Sequence, residues 1–355
     1  MKFSYRIGSI WGIPIEVHMT FLLLMAFVSL FSFPHLYNFE LILLLFVFVV
    51  AHELSHSLVA RHYKIKVRKI ILYPIGGVSE IEEVQESPRI EWRVAVAGPL
   101  TSFGLGLLLL AAALVLPGPR PPLYSLLSLT TTGDIVSDLA LMNIVLGAFN
   151  LLPAFPMDGG RVLRALLAER RKFTDATRTA ANIGRLLGML IAFIGIFYDF
   201  WLVLIGMFVY MGATEEAQAT ITSDALAGIR VRDVMYPAAG VVQPDVKLSD
   251  ALESMFKARY HDIFVEKDGF LLGVVTWDEV KRFKPEERSL VRLGDLPIKQ
   301  ITVFADESIL EAYKILAREK VSLVPVVERD LPSKVVGVVT TESIAYAQEK
   351  ARYLS

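Results

Sequence analysis

At 355 residues the chain is long enough for two or three domains. With 54% hydrophobic and 21% charged residues and a mean hydropathy of +0.50, it is too apolar for a soluble protein of this size and too charged for one lying wholly in a membrane. A net charge of −1 argues against nucleic acid as a partner, and the lack of any Cys excludes thiolate metal ligands, cysteine nucleophiles and disulfides. The apolar runs are concentrated in residues 1–220, whereas 224–355 has the composition of a soluble domain.

Six apolar segments follow one another, at about 13–33, 41–61, 93–116, 135–157, 183–198 and 200–216. The first follows Met1-Lys2-Phe3-Ser4-Tyr5-Arg6 without a small-residue cleavage site and is read as a retained helix. The second contains His52-Glu53-Leu54-Ser55-His56. Residues four apart on a helix project from one face, so the two imidazoles can share a metal. Glu53, beside the first ligand, can take a proton from a metal-activated water. Two His and a Glu in hydrocarbon are costly unless paired or metal-bound, which favours a metal site over a structural polar cluster.

Beyond this segment, residues 67–81 read as strand, turn and strand. A membrane-associated β-hairpin is expected here, either lying at the membrane face or dipping toward the metal site and offering an edge to which an unwound chain pairs. The third segment ends at Pro117-Gly118-Pro119. The fourth closes in Asn150-Leu151-Leu152-Pro153-Ala154-Phe155-Pro156-Met157-Asp158-Gly159-Gly160, where two prolines prevent a regular helix and the glycines permit close backbone approach. A catalytic zinc commonly has three protein ligands and one open position, and Asp158 is the best third candidate at this depth. The Asn150 amide can donate to a developing oxyanion or satisfy backbone freed by Pro153. His18, His35, His62 and His261 lack ligand spacing and are read as interfacial or surface residues.

Basic residues set the orientation. Loop 34–40 has no Lys or Arg and loop 117–134 only Arg120, whereas loop 61–93, from Arg61 to Arg93, and loop 161–185, from Arg161 to Arg185, are rich in both. Six spans in the cell membrane with N- and C-termini in the cytoplasm satisfy that alternation. His52 and His56 then lie in the cytoplasmic half of the second span.

His52 to His56, taken with Asn150…Pro153…Pro156…Asp158-Gly159, resembles the site-2 protease family of intramembrane zinc metalloproteases. Pro74-Ile75-Gly76-Gly77 and Ala97-Gly98-Pro99 add to the resemblance, which covers about residues 10–220. It implies that His52, His56 and Asp158 bind one zinc per chain, that Glu53 is the general base, and that Asn150 helps hold the scissile peptide or its oxyanion. It also implies a transmembrane protein substrate cleaved within the lipid bilayer, as in regulated intramembrane proteolysis. Ser55 stands where Gly is common in that family, and Thr101-Ser102 where Asn is frequent, so Thr101 and Ser102 are assigned no role.

Residues 229–283 and 292–349 align with each other. Each copy has a leading segment (231–235, then 292–296), an amphipathic helix (248–258, then 309–319) and a Gly-Val-Val-Thr strand running into a helix (273–278, then 337–342). Alternating short strands and helices make an α/β layered module. It resembles a tandem pair of CBS domains, with boundaries at 224–287 and 288–355. The resemblance implies an adenosine nucleotide near Thr276 with Asp278 and Thr340 with Glu342, and a homodimer through the pair. A Thr at a strand-to-helix turn is also an ordinary N-cap. The expected architecture is therefore a polytopic α-helical membrane domain of six transmembrane helices with a membrane-associated β-hairpin, plus a cytoplasmic α/β tandem CBS module. The expected activity is zinc-dependent endopeptidase, regulated or assembled by the CBS pair. The competing class is a CBS-regulated metal-binding membrane transporter.

Overall fold

The computed structural model describes residues 4–32, 36–81, 87–115, 134–238 and 240–354, which fall into two compact units, Met1–Gln218 and Ala219–Ser355. The first unit opens on strands. β1 (Ser4–Ile10) and β2 (Ile13–His18) pair antiparallel, and α1 (Met19–Ser32) starts only where β2 ends. The helix expected from residue 13 is thus corrected. Ile13, Ile15 and Val17 are buried while Pro14, Glu16 and His18 are not, a period of two that marks a half-buried strand.

After α1 come α2 (Tyr37–His62), β3 (Val67–Tyr73), β4 (Gly76–Ile81), α3 (Pro88–Val115), α4 (Ile135–Asn150), α5 (Asp158–Ala168), α6 (Phe173–Tyr198) and α7 (Phe200–Ala227). The sheet order is β1-β2-β3-β4. β2 and β3 are parallel, with Ile15 opposite Ile70, so α1 and α2 form the crossover between them. β3 and β4 form an antiparallel hairpin with Ile70 opposite Ser79, and β4 lies at the edge. Buried Ile13, Leu54 and Ile70 pack the sheet onto α2, while Val17, Phe21, Phe46, Val49 and Leu72 join α1, α2 and the sheet.

Among the described residues, α2, α3, α6 and α7 are long and apolar enough to cross a membrane. α1 and α4, with 14 and 16 residues, are shorter apolar helices. α6 begins ten residues before the expected 183, because Phe173–Asn182 is helical and buries Ala176, Ala180 and Ala181. His35 and the segment 116–133, with Arg120 and Pro117, lie outside the described residues.

The second unit repeats one plan. β5 (Val241–Val242), α8 (Leu248–Lys257), β6 (Ile263–Lys267), β7 (Phe270–Val275) and α9 (Trp277–Val280) form the first copy. β8 (Val303–Phe304), α10 (Ile309–Glu319), β9 (Leu323–Glu328), β10 (Leu331–Thr340) and α11 (Thr341–Leu354) form the second. In each copy a short strand is parallel to the middle one and the last is antiparallel to it. The leading segments, however, are exchanged. Ile229, Val231 and Val234 are buried in the core of the second copy with Val303, Ile309 and Val326, and Leu293 and Leu296 in that of the first with Leu248 and Val265. Val231 N donates to Glu307 O at 2.9 Å, and Leu293 N to Val246 O at 3.0 Å. Neither copy closes its core alone, which is the physical reason for the pair.

Candidate active site

The His motif occupies α2 between residues 49 and 60, where Val49, Leu54 and Ala60 are buried. The helical repeat puts His52 and His56 one turn apart, with ring centroids 4.8 Å from each other. Both are buried. The third member arrives from 102 residues further on. Pro153 and Pro156 interrupt the helix after α4, and residues 151–157 form turns closed by Ala154 N to Leu152 O and Met157 N to Ala154 O. Asp158 is then the first residue of α5, where a carboxylate suits the positive end of the helix.

Asp158 Oδ2 lies 3.2 Å from His52 Nε2 and 3.1 Å from His56 Nε2. The far nitrogens are both engaged. His56 Nδ1 donates to the Val94 carbonyl at 2.7 Å, and His52 Nδ1 is 2.9 Å from Ser102 Oγ. A carbonyl only accepts, so the proton of a neutral His56 ring is on Nδ1 and its lone pair is on Nε2, facing the carboxylate. A lone pair 3.1 Å from a carboxylate oxygen is repulsive unless a cation lies between them. Zinc ligand distances of about 2.0–2.1 Å place tetrahedral donors about 3.3 Å apart, close to the two separations here. One donor atom from each of His52, His56 and Asp158 lies within 4.8 Å of the others. Two imidazole nitrogens and one carboxylate oxygen, with no fourth His, Asp or Glu in the group among the described residues, form a donor set that fits zinc and leaves a position open.

α3 supplies the wall behind the rings. At Gly98 an added Cβ would lie 2.1 Å from His56 Nε2 and 2.4 Å from His52 Nε2, so only glycine lets both ligand atoms approach. On the other side of α2, β4 holds Glu53. Ser79 Oγ is 2.7 Å from Glu53 Oε2, to which it donates, and a Cβ on Gly77 would lie 2.5 Å from Glu53 Cγ. Gly77 and Ser79 share one face of the strand, one making room for the side chain and the other holding its carboxylate. Asn150, half-buried at the end of α4, donates from Nδ2 to Leu146 O at 3.0 Å.

Comparison with known proteins follows the same division of the chain. The model of peptidase family M50 matches residues 40–137 and 125–194, and that of the CBS domain matches 231–286 and 293–350. A zinc metalloprotease of Methanocaldococcus jannaschii is 35% identical over 310 residues, 85% of this chain and 88% of the relative. The chain belongs to peptidase family M50. The protein Rip3 of Mycobacterium tuberculosis is 30% identical over 325 residues, 84% of this chain and 77% of its own. Among solved structures, a site-2 protease from Methanocaldococcus jannaschii matches at 39% identity and a TM-score of 0.46, covering 61% of this chain and 95% of that one.

As an M50 peptidase the chain is a zinc metalloprotease of the site-2 type carrying a tandem CBS pair, and zinc is its cofactor. Four contributors to the site receive no role from the linear sequence, where Gly77 stands only as part of Pro74-Ile75-Gly76-Gly77. Val94 and Ser102 orient the imidazoles, and Gly77 and Ser79 seat Glu53. Ser102, assigned no role from sequence, is fully buried and holds His52. Partners of this kind commonly change metal affinity about 10–100-fold. Ser102→Ala is therefore expected to weaken zinc binding by about that factor in chelator competition; an unchanged affinity would remove this role.

In the CBS unit, Thr276 is buried and its side chain makes no capping bond to α9. Asp278 is exposed and pairs with Lys281 at 3.1 Å, an attraction that lowers its carboxyl pKa. Thr340 Oγ1 donates to Glu342 Oε2 at 2.9 Å and accepts from Ser343 N at 3.3 Å, the ordinary cap of a helix start. Sequence reasoning missed Asp262. Its buried carboxylate accepts Trp277 N at 2.8 Å, Ser322 N at 2.6 Å and Ser322 Oγ at 2.8 Å, tying the two copies together.

Proposed function

We propose that this chain hydrolyses peptide bonds within transmembrane segments of membrane-protein substrates, with His52, His56 and Asp158 as zinc ligands and Glu53 as general base. One observation carries the reading: His52, His56 and Asp158 bring three donors suited to zinc together, and the seated Glu53 follows the first of them directly on α2. When bound, zinc supplies Lewis acidity, polarising the scissile carbonyl and making water acidic near neutral pH. Glu53 takes the proton of the attacking water and delivers it to the leaving amine. Ser79 occupies Oε2 of Glu53, leaving Oε1 for that transfer. Asn150 is assigned to the scissile peptide or its oxyanion; its Nδ2 has a second proton beyond the one given to Leu146 O. Metal analysis alongside cleavage of a single-span substrate tests the assignment. The transporter reading is not favoured, because transport has no use for a seated base.

The substrate route follows from the hydrogen bonding of helices. A membrane helix hides its peptide bonds, so the substrate must unwind before attack. β4 lies at the sheet edge and touches Glu53 through Ser79, which supports strand addition at this edge. Ile71, in the interior strand β3 and buried, is a poor probe, because Pro there would break the sheet. Val78 is half-exposed, on the β4 face opposite Gly77 and Ser79. The chain has no Cys, so Val78→Cys is a unique thiol. Disulfides to a cysteine scanned along the substrate are expected at alternate positions; a three-to-four-residue period would show that the substrate stays helical there and overturn strand addition.

The remaining proposals concern organisation. The proposed domains are 1–220 for the protease and 224–287 and 288–355 for the CBS copies. α1 and α4 complete six spans with both termini in the cytoplasm, which the alternation of basic loops supports. Protease protection of a C-terminal tag in oriented vesicles reads that orientation. The CBS pair is assigned a regulatory or assembling role, with Thr276, Asp278, Thr340 and Glu342 as the nucleotide positions and the pair as the site of homodimer formation. AMP or ATP titrated against the full chain is expected to bind saturably and to lose affinity in Thr340→Val; linear, non-saturating heats would leave the pair without a nucleotide role. Sedimentation in detergent reads the oligomeric state.

A further inference from the structure

We propose that Arg164 is a positioning residue that holds Asp158 at ligand distance by clamping α5 to the helix that orients both histidines. This rests on the metal-site reading above. Arg164 lies six residues after Asp158 on α5, about 9 Å along the helix, and is only 8% exposed. Its Nε donates to Glu91 Oε1 at 2.8 Å, its Nη2 donates to the same oxygen, and its Nη1 donates to Glu216 Oε1 at 2.6 Å. The guanidinium carbon is 5.0 Å from the ring centre of Phe155 and 4.9 Å from that of Phe173. Carboxylates hold its edges, and aromatic rings lie near it.

The position of Glu91 makes the clamp relevant to the metal. Glu91 belongs to a stripe of α3 spaced by three or four residues, continuing through Val94, Gly98 and Ser102. Val94 O accepts from His56, Gly98 gives both rings room, and Ser102 Oγ contacts His52. Both histidines are thus referenced to α3 directly, and Asp158 is referenced to it through α5, Arg164 and Glu91. The segment on the other side of Asp158, 151–157, is built from turns, so α5 is the regular element that carries the aspartate. Replacing a buried ion pair by apolar residues of similar size is often neutral for stability, so stability alone does not account for the pair. What they cannot supply is the directional fork of a guanidinium, which fixes the azimuth and height of α5 against α3.

The test uses full-length protein in detergent and reads metal binding rather than cleavage. Arg164→Lys keeps the charge and loses the fork. Arg164→Met with Glu91→Gln and Glu216→Gln removes the clamp without leaving buried carboxylates unpaired. Both are expected to keep the melting temperature of the metal-free protein and to raise the zinc Kd about 10–100-fold. Cobalt bound in place of zinc should lose visible absorption intensity as the carboxylate withdraws. The decisive arm is the pairing with Asp158→Ala, which should itself weaken zinc; in that background Arg164→Lys should cost nothing further, because it acts through the missing ligand. Parent-like zinc affinity in both folded clamp variants, or a full additive loss on top of Asp158→Ala, overturns the clamp while leaving the metal site in place. If Asp158→Ala leaves zinc affinity unchanged, the ligand assignment falls and the clamp with it.

Discussion

Glu53→Gln is expected to retain one zinc per chain and to lose cleavage of a single-span substrate by about 10²- to 10⁴-fold, the range over which a positioned general base contributes. The substitution is close to isosteric. Ser79 can still donate to the amide oxygen, and the space over Gly77 still admits the side chain. The lost property is the capacity to accept a proton and return it. His52 and His56 are held by Ser102 and Val94 rather than by Glu53, so metal content should not change. The measurements are zinc stoichiometry and the initial rate of substrate cleavage on the same preparation. Unchanged cleavage would sink the base assignment, and parallel loss of zinc would make Glu53 structural.

Gly98→Ala should have the opposite signature, removing the metal while sparing the helix. In an α-helix interior Ala is favoured over Gly by about 1 kcal/mol, so α3 itself would gain. The new methyl, however, would stand 2.1 Å from His56 Nε2 and 2.4 Å from His52 Nε2, the two atoms that face the zinc position. Either the rings turn away or α3 moves off α2, and both break the donor set. Zinc affinity should fall about 100-fold or more, at or beyond the upper end seen for disturbed ligand support, with activity lost in proportion. Gly104→Ala is the control: it lies on the same helix, and nothing stands within 4 Å of its added Cβ. Equal zinc binding in the two variants would show that α3 accommodates the methyl.

Local chemistry made part of this site legible. The four-residue spacing of His52 and His56 needs only a helix to bring the imidazoles together, and the run around them is long and apolar enough to form one. The prolines at 153 and 156 announce a break before Asp158, and the chain makes turns there. The repeat in 229–349 was readable for the same reason, since each copy carries its own amphipathic helix and Gly-Val-Val-Thr strand. At the start of the chain, overall apolarity conceals the alternation of Ile13, Ile15 and Val17, so composition predicts a helix where the chain forms a strand.

Sequence by itself determined which segments are apolar enough for membrane, where two histidines share a helix face, and that a duplicated α/β module follows. These depend on composition and on spacings within a few turns. Only the tertiary structure decided that Asp158 reaches both imidazoles, that Val94 and Ser102 fix their orientation, that Gly77 and Ser79 seat Glu53, and that each CBS copy receives the other's leading segment. Each of those contacts joins residues far apart in the chain. It exists only once a particular helix face has packed against a particular neighbour, and no local propensity encodes that choice.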